Sequence, residues 1–167
     1  MSLSGFNHTI HWSEFHIVDK CPLGAVKEAE VALLTNINWQ TATQQSGDCQ
    51  VVGVKASIRV DHNKSWVLKG KKGIYLRHHE QGHYDIGAIG MREMYNKILV
   101  LIKSRCEDIN QEAHRIQQEV QQLIESTRQR YHTQTKHGSN LNVQKAWEAQ
   151  IQSVKLRDDG VLADLPK

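Results

Sequence analysis

Gly70-Lys71-Lys72-Gly73-Ile74-Tyr75-Leu76-Arg77-His78-His79-Glu80-Gln81-Gly82-His83 divides the chain into two textures. Before the glycine-lysine turn, apolar residues alternate with polar ones. After it, from Ile74 to about Tyr131, there is no proline and the only glycines are Gly82, Gly87 and Gly90, so the chain reads as helix. At the start of that helix lies His79-Glu80-Gln81-Gly82-His83, an H-E-x-x-H sequence. Residues four apart share a helix face, so both imidazoles can reach one zinc ion with Glu80 beside the bound water. Glycine costs about 1 kcal/mol inside a helix, so Gly82 calls for a reason such as close backbone packing near a site.

Upstream, Ala29, Val31, Leu33, Thr35, Ile37 and Trp39 recur at every second position, the period of a strand. The rival is a helix from Ala25 to about Thr35, encouraged by Glu28 and Glu30, but it scatters Ile37 and Trp39 off the apolar stripe. Gln40 to Asp48 is polar and ends in the turn formers Ser46-Gly47-Asp48. Val52, Val54, Ala56, Ile58 and Val60 then alternate with Gly53, Lys55, Ser57 and Arg59, a second strand with one dry face that is expected to pair with the first as a hairpin. His11, Trp12 and Phe15 are expected to supply a short first strand, and Lys64 to Leu68 another.

Downstream, Met91, Tyr95, Ile98 and Ile102, followed by Ile109, Ala113, Ile116, Val120, Leu123 and Thr127, keep a helical apolar rhythm. One helix from His83 to His137 would be about 80 Å long. A hairpin of two helices is preferred, reversing near Lys103 to Asp108, where Ser104 and Glu107 have capping-box spacing. The expected fold class is α+β: an antiparallel sheet packed on a long two-helix hairpin, one domain over residues 1–167, strand-rich over 6–70 and helical over 74–151.

The 167 residues carry 21 Lys plus Arg against 18 Asp plus Glu, a net charge of +3 that is too small to announce a nucleic-acid surface. With 39% hydrophobic residues and 2 prolines the chain should bury a core rather than remain disordered. No apolar run approaches the roughly 20 residues of a membrane span, and Met1 to Trp12 lacks the apolar core of a signal peptide, which leaves the compartment open. Cys21, Cys49 and Cys106 have no metal-knuckle spacing. The pattern allows a Cys21–Cys49 bridge, while Cys106 on the helical apolar rhythm reads as a small buried hydrophobe.

Ser65-Trp66-Val67 and Leu76-Arg77-His78-His79-Glu80-Gln81-Gly82-His83-Tyr84-Asp85-Ile86 resemble the signature of the DUF922 family of predicted bacterial secreted zinc-dependent proteases. Tyr131, Thr135, His137-Gly138, Gln144 and Trp147 resemble its second block, Y-D-x-x-T-x-H-G followed by glutamine and tryptophan. His132 stands where that family usually has aspartate, and Gly87-Ala88 replace a more polar pair. The resemblance implies a zincin-like metalloprotease acting on a peptide or protein substrate, periplasmic or secreted.

In that reading His79 and His83 hold Zn2+ with a third protein ligand, and Glu80 is the general base that takes a proton from the attacking water and passes it to the leaving amine. His137 is the third ligand favoured here, since a reversal near Ser104 carries the chain back toward His83 and the Gly138 turn can aim it; the alternative is a loop histidine that caps a helix. Glu93 is about 15 Å along the axis from His83 and is poorly placed. Asp85 is read either as a carboxylate that orients a ligand or as a solvent-facing acid. His78 points about 100° away from His79. Tyr131 is read as packed rather than as an oxyanion donor, and His132 as exposed. The strand near Lys64 to Leu68 is expected to wall a substrate cleft. The competing functions are a non-catalytic zinc-containing module that binds another protein through the helical hairpin, and a helical structural protein without metal.

Overall fold

A computed structural model describes residues 3–22 and 27–167. In chain order the elements are β1 (Leu3–Ser4), β2 (His16–Val18), β3 (Ala29–Glu30), β4 (Leu33–Thr43), β5 (Cys49–Val60), β6 (Trp66–Leu68), α1 (Ile74–Leu99), β7 (Ile102–Lys103), α2 (Cys106–Gln134) and α3 (Leu141–Leu156). The class is α+β, with three α-helices and mixed sheets among the described residues.

The expected hairpin is β4 against β5, antiparallel from Leu33↔Val60 to Thr43↔Cys49. Its register slips between Gln40↔Gly53 and Thr41↔Val51, which leaves Val52 as an extra residue. A bulge of this kind inverts the pleat. Cys49 and Val51 are buried before it and Val54, Ala56, Ile58 and Val60 after it, while Val52, expected on the dry face, is 51% exposed.

The sheets are not purely antiparallel. β1 runs parallel to β5 on the edge away from β4, and β2 runs parallel to β6 in a smaller sheet of order β2-β6-β3. Both parallel strands reach their partners through long connections, so no tight turn forces them antiparallel. The strand expected at His11, Trp12 and Phe15 is instead a 3-10 turn, Trp12–Glu14, because the Glu14 carboxylate folds back to accept the His11 N–H (2.7 Å). Ala29 to Trp39 is two strands in two sheets, with the crossing at Val31 and Ala32. There Ser65 Oγ accepts from Ala32 N (3.0 Å) and donates to Ala32 O (3.3 Å). The rival helix begins at Ala25, outside the described residues; from Ala29 the chain is extended.

α1 passes between the large sheet on one side and α2 and α3 on the other, and is buried continuously from Gly82 to Tyr95. At Gly87 a Cβ would lie 2.5 Å from Leu33 Cδ1 and 3.1 Å from Ile58 Cδ1, so the glycine there lets the helix approach the sheet closely. The helical hairpin forms, but it reverses between Leu99 and Cys106, earlier than expected, because Ile102 and Lys103 pair with Gln50 and Cys49. Ile102 is therefore 61% exposed on a strand rather than buried on a helix. Ser104 caps nothing; the residue before α2 is Arg105, without a side-chain cap. Ile124 takes the buried place expected for Leu123, and α3 adds a third helix whose Gln144, Trp147, Ile151 and Val154 face inward.

A disulfide joins Cys49 to Cys106, not to Cys21. The strand at the reversal brings the start of α2 to the start of β5, with Cα atoms 5.1 Å apart. Cys21 lies by the small sheet, its Sγ 3.4 Å from the Lys27 carbonyl. Among the described residues no helix is long and apolar enough to cross a membrane.

Candidate metal centre

Two helix faces make the site. α1 presents His79 and His83 one turn apart, and α2 presents Arg128, Tyr131 and His132, with its C-cap residue Thr135 three positions further on. Nε2 of His79 lies 3.2 Å from Nε2 of His83 and 3.4 Å from Nδ1 of His132. One ring nitrogen from each of the three histidines falls within 4.8 Å of the others, so this group could hold a metal ion. Four donors at 2.0–2.1 Å around a tetrahedral zinc stand about 3.3 Å apart, which the two short separations match.

The rings are aimed by their surroundings. Thr135 Oγ1 lies 3.4 Å from His79 Nδ1, on the side away from the cluster. The Tyr131 ring stacks on His79 at 4.9 Å and meets His83 edge-on, while its hydroxyl donates to the His79 carbonyl (3.2 Å). A Cβ at Gly82 would lie 2.4 Å from that hydroxyl oxygen, so the helix glycine is there to admit Tyr131. His83 Nδ1 is buried without a hydrogen-bond partner, so all that ring's polar contacts lie at Nε2, in the cluster.

Burial, and then the neighbouring His132 and His137, push His79 down to about 3. Burial likewise holds His83 well below its ordinary value and brings His132 down to about 4. All three are neutral near pH 7, the form that binds a cation. Burial acts oppositely on Glu80, raising its carboxyl to about 7 against the pull of the Val31 N–H and of Arg128.

Glu80 Oε2 accepts from Val31 N (2.7 Å), and Arg128 Nη2 donates to Val31 O (2.8 Å). One peptide segment at the end of β3 is thus clamped by both helices. Ala29, Glu30, Val31, Glu80, His83, Arg128, His132 and His137 line a cleft of about 460 Å3. The strand edge on this cleft belongs to β3; the expected wall, Lys64 to Leu68, is β6, which has β2 and β3 on its two edges.

Of the four expected site residues, His79 and His83 belong to the three-nitrogen group, and Glu80 lines the cleft beside His83. The third nitrogen is that of His132 rather than His137. α2 continues to Gln134, which keeps His132 on the helix face opposite His79, whereas His137 follows in a left-handed turn (φ 56°). His137 is exposed on the cleft wall, its ring edge-on to His132 at 4.0 Å. Asp85 is neither a ligand's partner nor solvent-facing: it is buried with Lys155 (2.7 Å) and Gln81 (3.1 Å), and burial raises its carboxyl. His78 is exposed near Glu148. Glu93 accepts from Leu162 N and Lys97, away from the cluster. The signal that could have found His132 is the helical register of Arg128, Tyr131, His132 and Thr135.

Residues 73–138 match the family DUF922, described as "Bacterial protein of unknown function". No curated protein matches the chain, and no solved structure does.

Proposed function

From a DUF922 segment that carries an H-E-x-x-H helix, we propose that the chain is a zinc-dependent metallopeptidase of zincin-like build that hydrolyses peptide bonds in a peptide or protein substrate. The observation that carries this reading is that ring nitrogens of His79, His83 and His132 lie close enough to hold one ion, while Glu80, its carboxyl raised by burial to about 7, lines a cleft together with two of them, His83 and His132. His79, His83 and His132 would hold the ion and leave its fourth side to the cleft. When bound, zinc supplies Lewis acidity, polarising the scissile carbonyl and lowering the pKa of water at the site toward neutrality. Glu80 takes the proton from water as its oxygen adds to the carbonyl carbon, and returns it to the leaving nitrogen. Among the described residues no strand pairs with the outer edge of β3, and that edge, short of Val31 whose backbone groups are held by Glu80 and Arg128, would offer main-chain partners to an extended substrate. The disulfide suits an oxidising compartment, periplasmic or extracellular.

Glu80→Gln tests the reading. Zinc content per chain should stay at the wild-type value while hydrolysis of denatured casein falls by about 10²–10⁴-fold, the usual range for a general base. Equal hydrolysis by the variant, or none by the zinc-loaded wild type, overturns it. In a protein-binding module, by contrast, the substitution would change neither metal content nor partner affinity.

A further inference from the structure

Arg128 is the charged group the metal centre itself leaves unused. It lies one helical turn before His132, and its guanidinium lines the cleft with Glu80 and His83. The one hydrogen bond it makes through Nη2 goes to Val31 O (2.8 Å), and its Nε is buried with no partner. Among the described residues no carboxylate forms an ion pair with it; Lys27, the other permanent cation of the cleft, is engaged by Glu30 at 3.4 Å. Glu125, Glu80 and Glu30 favour its charge without touching it, but burial still lowers its proton affinity, and withdrawing a charge from water without a counter-ion in contact costs stability. An anion that arrives with substrate would remove that cost, and during amide hydrolysis the charge develops on the carbonyl oxygen.

We propose that Arg128 is a catalytic residue, its guanidinium donating to the substrate's carbonyl oxygen as that oxygen becomes negative. This rests on the peptidase reading. As the water oxygen bonds to the carbonyl carbon, the C=O π pair moves onto oxygen beside Arg128, and Glu80 holds the water's proton. When C=O re-forms, the C–N bond breaks, its electron pair goes to nitrogen, and nitrogen takes the proton from Glu80. Water and amide are consumed, and acid and amine are formed. Val31 places the two side chains: its N–H holds Glu80 and its carbonyl holds Arg128, so acceptor and cation flank one peptide segment.

The test compares zinc-loaded wild type with Arg128→Ala and Arg128→Lys, on a quenched-fluorescent peptide that wild type cleaves. Alanine should lower kcat by about 10²–10³-fold, as for other preorganised oxyanion donors, with KM nearly unchanged and zinc per chain the same. Lysine should recover part of the loss. A phosphinic analogue of that peptide, which carries the negative oxygen, should lose affinity in parallel with kcat, while an uncleaved N-methyl amide analogue should not. A merely structural role would weaken both analogues alike or release zinc, and either result overturns the proposal. Undiminished kcat in the alanine variant overturns it while leaving the peptidase reading intact; absence of any cleaved peptide for wild type overturns both.

Discussion

The histidine that completes the nitrogen cluster, His132, stands where the DUF922 signature that the sequence resembles has aspartate. Aspartate and histidine are both zinc ligands, so His132 for aspartate exchanges one donor type for another. His132→Asp should therefore keep stoichiometric zinc. His132→Ala should weaken zinc binding by more than the roughly 10- to 100-fold that follows loss of an outer partner, and His137→Ala by much less; competition with a chromogenic chelator measures all three. Equal losses for His132→Ala and His137→Ala would return His137 to the ligand set. Gly82 is a second residue whose meaning lies in a contact. Gly82→Ala sets a methyl against the Tyr131 hydroxyl and should destabilise the fold by about 1–3 kcal/mol, as overpacking does. Urea unfolding would show it, together with weaker zinc binding as the tyrosine is pushed off His79.

Elements were legible where one periodicity governed them and obscure where tertiary partners broke it. The H-E-x-x-H helix, the β4–β5 hairpin and the helical reversal follow from period and turn chemistry. Period two could not reveal that Ala29 to Trp39 changes sheets, since both pieces are extended. What breaks the strand is that Val31 and Ala32 spend their backbone groups on Glu80, Arg128 and Ser65, three residues far away in sequence. Nor could spacing identify the disulfide, which depends on two short pairings at β7 that carry almost no sequence signal. Cys49 and Cys106 are 57 residues apart, a loop whose closure contributes about 4 kcal/mol in the chain-entropy account. Cys49→Ala/Cys106→Ala should lower unfolding stability by up to that amount. The bond is at the opening of α2, roughly 35–40 Å along the helix from His132 at 1.5 Å per residue. Zinc stoichiometry of the folded variant should therefore be unchanged, whereas loss of zinc along with the bond would mean that hairpin and site are one cooperative piece.

At the scale of the whole molecule the site is a set of titrating groups that folding forces away from their ordinary proton affinities, in two opposed directions. His79 at about 3, His132 at about 4 and His83, which burial holds well below its ordinary value, bind fewer protons folded than unfolded. Their contribution to stability is complete above the unfolded imidazole value near 6.5 and is lost as pH falls toward the folded values. Glu80, raised to about 7, binds more protons folded than unfolded, so its contribution is present below the ordinary carboxylate range and lost as pH rises through 7. Asp85 is raised too and acts in Glu80's direction. Three imidazoles against two carboxyls make the metal-free chain gain stability between about pH 5 and pH 6.5. Urea midpoints in the presence of EDTA across that interval should rise with pH in wild type, rise less in His132→Ala, and rise more steeply in Glu80→Gln, where an opposing group is gone. Zinc should steepen the wild-type curve further, because protons then compete with the ion for the same three nitrogens. A midpoint independent of pH in all three metal-free proteins would mean that these side chains are not withdrawn from water together, and the cleft would have lost the electrostatic setting on which both Glu80 and the imidazoles depend.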